Sequence, residues 1–213
     1  MLDRLLERNS YAMGIAARHT GAWVDAFRPS GPDNPIDPVR RYMRLPAQFM
    51  AARGGERRAN LPGDLLWHGV FDTLYTQPGD YLSGPQGTFF IASQVALGPA
   101  LCVMTNRVVT LTRPGRQSAV SGNPYGGYSP DRVDIVIRDW PAAVVMNEHY
   151  GRQGASLPTD EPLAYLSLML PSMDGRRLHP GDLVHDDIGR SAVLVATEET
   201  PTGWRLAAKM VTN

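Results

Sequence analysis

Cysteine is almost missing from this 213-residue sequence: Cys102 stands alone, so no internal disulfide can form. It lies in the apolar run 100–104 with no motif around it, which reads as a small buried hydrophobe rather than a nucleophile. The chain is therefore expected to mature in a reducing compartment, or to manage without sulfur bridges. Lysine is as scarce, with Lys209 the one lysine among 21 basic residues. A GC-rich coding bias explains that; arginine's rigid fork also suits interfaces that bury carboxylates or phosphates. Net charge is missing too, because 21 basic residues balance 21 acidic ones. The balance is uneven along the chain: residues 1–60 carry ten arginines and six acids (+4), and residues 61–213 carry eleven basic residues and fifteen acids (−4). No apolar run approaches the roughly 18 residues that a membrane span needs. Arg4, Glu7 and Arg8 interrupt any apolar leader, so a soluble chain with no membrane contact is expected.

Signatures of catalysis are absent as well. The sequence contains no Gly-x-Ser-x-Gly, no Gly-x-x-x-x-Gly-Lys-Ser/Thr and no His-Glu-x-x-His. The densest ionisable cluster is His179, Asp182, His185, Asp186 and Asp187. Histidines among carboxylates can hold a divalent metal, but Asp182 belongs to a turn whose twin, at Asp80, has Gln77 and Ser83 where His179 and His185 stand, so a polar hairpin loop is the preferred reading.

What is present is a device that occurs twice. Residues 77–94 read QPGDYLSGPQGTFFIASQ and residues 179–198 read HPGDLVHDDIGRSAVLVATE. Pro78 and Pro180, Gly79 and Gly181, Asp80 and Asp182, and Gly87 and Gly189 all lie 102 residues apart. After the last glycine the second copy takes three residues, not one, to reach its apolar run, an even insertion that keeps side chains on the same strand face. Proline presets φ, glycine accepts φ > 0, and aspartate bonds its own backbone, so each copy reads as a turn followed by a β-hairpin with a longish loop. Either a β-module was duplicated or reused, or common turn chemistry coincided.

Around this device, Leu2, Leu5, Leu6, Met13 and Ala16 recur near helical spacing, predicting an amphipathic helix over 2–18 that ends at His19-Thr20-Gly21. Residues 23–27 suit a short strand, and the four prolines of 28–38 suit a linker or extended arm. Residues 39–60 mix six arginines with Tyr42, Met43, Phe49 and Met50, the texture of a partner-facing loop. From Gly63 the texture turns β, with strands expected around 101–111, 131–146, 163–170 and 203–211. The glycine- and proline-rich stretch 116–130 is the best boundary. The expected fold is mainly β with an N-terminal amphipathic helix and two small β-barrel or sandwich modules. Residues 1–60 form a helix and proline/arginine-rich arm, 61–115 a first module, 116–130 a linker and 131–213 a second module. Such parts suit assembly: β-domains build rigid rings, open sheet edges recruit strands and arms wrap neighbours.

Several segments carry a resemblance. DTLYTQPGDYL (72–82), GTFFIASQ (87–94), NRVVTLTRPG (106–115) and VDIVIRDWPA (133–142) are similar to virion structural proteins of tailed bacteriophages. GDLVHDDIGRSAVLVATEETPTGWRLAA (181–208) resembles the β-barrel of head-completion and neck proteins, where a Gly-Asp strand precedes a Gly-x-x-hydrophobic-x-Val strand. The resemblance implies a protein of neck, tail or baseplate that is not an enzyme and carries no catalytic, cofactor or metal site. It implies ring-like homo-oligomers beside portal, adaptor or tail components, DNA contact at most secondary, and a place in the virion after assembly in the host cytoplasm. Contacts are expected from Leu2, Leu5 and Leu6, from Arg40, Arg41, Arg44, Arg57 and Arg58, and from Tyr125 and Tyr128. Two alternatives stay open. One is a barrel-type nucleic-acid-binding module using Arg40, Arg41, Arg44, Arg53, Arg57 and Arg58; the other is a metal-dependent hydrolase around His179, His185 and Asp187.

Overall fold

The computed structural model describes residues 2–51, 65–116, 128–147, 165–173 and 175–211. Helix α1 (Leu2–Thr20) leads into β1 (Ala22–Phe27), β2 (Arg41–Ala51), β3 (Leu66–Val70), β4 (Tyr81–Gly84), β5 (Gly87–Ser93) and β6 (Ala100–Met104). These six strands close an antiparallel barrel in the order β1-β2-β3-β6-β5-β4. A second set follows: β7 (Arg107–Arg116), β8 (Tyr128–Asn147), β9 (Tyr165–Leu170), β10 (Leu183–Asp186), β11 (Ser191–Thr200) and β12 (Gly203–Met210). It closes in the same order, β7-β8-β9-β12-β11-β10. The protein is thus mainly β, with one N-terminal helix and two barrels. Closure pairs the outer strands with each other, so the open edges expected to recruit strands do not exist in these sheets.

The two barrels agree residue by residue. Phe27 pairs with Tyr81, and Thr112 with Leu183; Tyr81 pairs with Phe90, and Leu183 with Val193; Phe90 pairs with Val103, and Val193 with Lys209. Trp23 faces Pro46 as Val108 faces Pro141. Even the bulges match, with register shifts after Ile91 and after Leu194, and after Ala26 and after Leu111. Coincidence of turn chemistry does not produce a shared register of this kind. The pairing corrects the length of the insertion, however. Tyr81 to Leu183 is a step of 102 and Phe90 to Val193 a step of 103, so the second hairpin is one residue longer, not two. The first hairpin is tight, with only Pro85 and Gln86 between paired Gly84 and Gly87, rather than long. The extra residue is absorbed in the wider second turn, so strand alternation is untouched.

Interior positions alternate with exterior ones, as closed sheets require. Val24, Leu45, Phe49, Leu82, Phe89, Ile91 and Cys102 fill the first barrel, where the Phe49 and Phe89 rings stack at 3.9 Å. A second cluster holds Val109, Leu111, Ile137, Trp140, Leu168, Leu194 and Leu206 from the second barrel, and also Phe27, Tyr81, Phe90, Ala92 and Val103 from the outside of the first. The barrels therefore pack on each other. Tyr81 donates its hydroxyl to the Pro141 carbonyl at 2.7 Å, and Asn106 exchanges side-chain hydrogen bonds with the Val144 backbone on both sides.

Helix α1 lies on the first barrel against β2 and β3. Ser10 donates to Asp72 at 2.6 Å, and Thr20 donates to Gln48 at 2.6 Å. Gly21 ends the helix, its N–H bonded to the Ala17 carbonyl, and a Cβ there would stand 2.3 Å from the Ala47 carbonyl oxygen. Only glycine allows so close a passage from helix to strand.

The barrels divide the chain at Thr105 and Asn106, between β6 and β7. Residues 39–60 were expected in an arm, yet 41–51 form β2, where Leu45, Ala47 and Phe49 point inward with period two, alternating with Pro46 and Gln48, after the exposed Arg41 and Arg44. The high arginine content masked that alternation. The proline-rich stretch is anchored rather than extended: the Pro32 carbonyl accepts from the Arg138 backbone N–H and from the Trp140 indole, both at 2.8 Å. The stretch 116–130 was expected to separate modules. It instead joins β7 to β8 inside one barrel, with Arg116 paired to Tyr128, while residues 117–127 lie outside the described ones.

Cys102 is fully buried, and burial pushes its thiol up to about 12. The unfolded thiol ionises near its ordinary value of about 8.5. Because the folded value is raised, the stability linked to this proton is whole below about pH 8.5 and is lost as pH rises toward 12. The slope is about 1.4 kcal/mol per pH unit. Urea melts at pH 8 and pH 10 should show that decline, and Cys102→Ala should flatten it; equal slopes in both proteins would count against the burial.

Candidate functional site: paired arginine–aspartate clamps and the inter-barrel cleft

Each barrel is locked at the same place by an ion pair whose carboxylate is buried and whose guanidinium is partly exposed. Asp80 and Asp182 end the Pro-Gly-Asp turns, and their residues are 0% and 1% exposed. Arg28 stands one residue beyond Phe27, the partner of Tyr81, and Arg113 one beyond Thr112, the partner of Leu183. Arg28 reaches Asp80 through Nε (2.9 Å) and Nη2 (2.8 Å), and Arg113 reaches Asp182 through Nε (2.7 Å) and Nη2 (2.8 Å). This is bidentate, charge-assisted pairing, the strongest form of the contact. In each barrel the carboxylate also accepts the backbone N–H three residues before it, from Gln77 at 3.0 Å and from His179 at 2.9 Å.

The main chain repeats the same pattern. Gly79 donates to the Ile91 carbonyl and Gly181 to the Leu194 carbonyl, at 2.8 and 2.7 Å. Ile91 and Leu194 return the bond to the carbonyls of Asp80 and Asp182. Gly79 and Gly181 hold φ of 96° and 94°, the left-handed region that favours glycine there. One difference separates the twins. The Tyr42 hydroxyl also donates to Asp80 at 2.8 Å, with the Arg28 guanidinium 4.8 Å above its ring; Val136 takes the matching place in the second barrel, by pairing register. Burial, followed by the bond to Asp80, raises the Tyr42 phenol above its ordinary range. Hydrogen bonding to the carboxylates raises both guanidiniums as well. Each carboxylate thus accepts at least three hydrogen bonds from within the protein.

Beside the first clamp lies a cleft of ≈ 370 Å³ between the barrels. Arg28, Gln77 and Asp80 line one side, and Trp140, Met173 and Arg176 the other. Arg176 is tied to the Val136 carbonyl at 2.9 Å. Of its walls, Arg28, Asp80, Trp140 and Arg176 are already hydrogen-bonded within the protein.

Among the described residues, those expected to make contacts do not converge. Leu5 points outward from α1 and Leu6 is half-buried, while the side chain of Leu2 lies outside the described ones. Arg40 bonds the Ser30 carbonyl, and Arg41 and Arg44 both lean on Asp25, at 3.4 and 3.6 Å. Arg53, Arg57, Arg58 and Tyr125 lie outside the described residues; Tyr128 opens β8, its side chain not described. The histidine–aspartate cluster is dispersed by its own turn. Asp182 holds Arg113, Asp186 holds Arg190 at 2.6 Å, and His185 Nδ1 meets the Ser191 hydroxyl at 3.0 Å. Among the described residues no three His, Cys, Asp or Glu side chains are grouped to hold a metal.

Sequence reasoning found both aspartates and missed both arginines. The signal was there: Arg28-Pro29 precedes Gly31, and Arg113-Pro114 precedes Gly115. Their spacing is 85 rather than 102, so a search at the aspartate spacing passes over them. No protein-family model matches the chain, and searches of curated proteins and of solved structures give no significant match.

Proposed function

We propose that the protein is a non-enzymatic assembly component of a tailed-bacteriophage particle, a rigid two-barrel spacer of the neck, tail or baseplate that works in a ring of copies. The observation that carries this reading is the duplicated barrel whose buried acids are engaged in closing the barrels. Asp80 and Asp182 hold the turns before β4 and β10 to Arg28, just after β1, and to Arg113, within β7, and the two barrels pack together at Tyr81 and Trp140. A part that transmits position between neighbours needs that stiffness. The virion assignment itself rests on the sequence segments that resemble phage structural proteins; portal, adaptor or tail proteins are the partners it implies. A DNA-binding role draws less support, because Asp25 offsets part of the positive charge of the exposed Arg41 and Arg44.

Two measurements test the proposal together. Light scattering of the purified chain should give a closed oligomer, and mass spectrometry of purified particles should detect the protein at a fixed copy number. A chain that stays monomeric at every concentration and is missing from particles overturns it.

A further inference from the structure

The loop that borders the cleft beside the first clamp is longer in the second barrel than its twin in the first. Val70 faces Gln48 and Met169 faces Ala143, each partner standing two residues beyond the matched prolines, Pro46 and Pro141. Tyr75 and Arg177 are counterparts in turn, because their carbonyls accept Nη2 of Arg28 and of Arg113. From Val70 to Tyr75 is a step of five and from Met169 to Arg177 a step of eight, so the second barrel carries three extra residues before Arg177. They fall where the barrels meet. Met173 and Arg176 line the cleft, and the Ser172 carbonyl oxygen lies 3.6 Å from where a Cβ on Gly79 would stand. The Val136 carbonyl fixes Arg176 through Nη1.

The longer loop brings a cation from each barrel to one cleft. Among the described residues that line it, Arg28 and Arg176 are basic and Asp80 alone is acidic. Asp80 has nothing left to offer a ligand: Arg28 Nε, Arg28 Nη2, the Tyr42 hydroxyl and the Gln77 N–H all donate to it, and a carboxylate has about four acceptor positions. The donors are not used up. Among the described residues, Arg28 Nη1 has no partner, nor have Nε and Nη2 of Arg176. An Nε–Nη2 edge is the fork that Arg28 and Arg113 turn to Asp80 and Asp182, and it fits a carboxylate or a phosphate. The cleft, at ≈ 370 Å³, is at the small end of ligand pockets, which span about 300–1,000 Å³.

We infer that the cleft binds the oxyanion of a small molecule, a carboxylate or phosphoryl group, on the Nε–Nη2 edge of Arg176 with Arg28 Nη1 as a second donor. Surplus positive charge and unused donors select an anion, and the volume limits its size. One arginine comes from each barrel, so the ligand spans their contact, and occupancy raises the unfolding midpoint. The inference goes beyond the assembly reading and does not depend on it, since a monomer carries the whole site.

NMR titration of the full chain with inorganic phosphate, and separately with citrate, tests the site. At least one should bind at millimolar concentration and shift the Nε–Hε signal of Arg176; phosphate alone identifies a phosphoryl ligand, and citrate alone a carboxylate. Arg176→Gln should weaken binding at least about tenfold, through loss of charged hydrogen bonds. Arg177→Gln removes the same charge from an exposed neighbour that does not line the cleft, and should weaken binding far less. Gln77→Glu, nearly isosteric at an exposed position on the cleft wall, sets a carboxylate against the ligand and should also abolish binding. Far-ultraviolet spectra check that the variants fold; should Arg176→Gln unfold, the Arg176 signal and Gln77→Glu decide. The inference is overturned if neither probe binds, if the Arg176 signal stays still while others move, or if the variants at 176 and 177 lose affinity equally. None of these outcomes touches the assembly reading, which light scattering decides separately.

Discussion

Asp80→Ala is expected to lower the unfolding free energy by about 1–3 kcal/mol, the cost of leaving the donors to a buried carboxylate without their acceptor. The carboxylate is inaccessible to water and accepts from Arg28, Tyr42 and the Gln77 backbone, so its loss strands several donors at once. The Arg28 side chain is 44% exposed and can turn partly to water, which places the loss toward the lower end of that range. Asp182→Ala should cost a similar amount, reduced by the missing tyrosine. Removing the cation is the more informative half of the experiment. Arg28→Met leaves Asp80 buried without its counter-ion, and a carboxyl in that position takes up a proton. Its folded pKa would then lie above the unfolded one, so this variant should gain on the wild type as pH falls toward 4 and lose ground as pH rises. Urea melts of the two single variants and the double variant complete a cycle, in which the double should cost clearly less than the sum. A loss below about 1 kcal/mol for Asp80→Ala would reduce the clamp to an ordinary surface pair.

Trp140→Ala should cost more, about 3–5 kcal/mol, by leaving a cavity where a large side chain was packed. Trp140 is 1% exposed, its ring meets Tyr81 edge-on at 6.3 Å, and its indole holds the Pro32 carbonyl. One substitution therefore loosens the second core, the joint with the first barrel and the proline-rich strap. Because the joint is part of a continuous core, the wild type should unfold in a single transition. Trp140→Ala should split it, the first barrel persisting beyond the second in urea. Two separate transitions already in the wild type would contradict a shared core.

The sequence was legible where local chemistry decides structure. Two Pro-Gly-Asp turns, the hairpins after them and the helix that stops at Gly21 all follow from φ preferences and apolar spacing. The fold class followed from these parts. Legibility failed where a long-range partner overrides local texture. The arginines of residues 40–44 hid a strand whose inward residues, Leu45, Ala47 and Phe49, make sense only once β1 and β3 flank it. The glycines of 116–130 suggested a boundary, while the true one, Thr105-Asn106, has no glycine or proline at all. As for the clamp, the aspartate half was readable because it shapes its own turn. The arginine half depends on a partner 52 residues away in one barrel and 69 in the other, which local pattern does not encode.

Barrel closure by strands so distant in sequence has a consequence during synthesis. Each barrel occupies an unbroken stretch of chain, so the first can finish and shut as soon as β6 has left the ribosome, before any of the second exists. Until Trp140 and Pro141 follow, the nascent chain must carry Phe27, Tyr81 and Phe90 bare to solvent, which makes the interval between β6 and β8 the moment when a chaperone has most to shield.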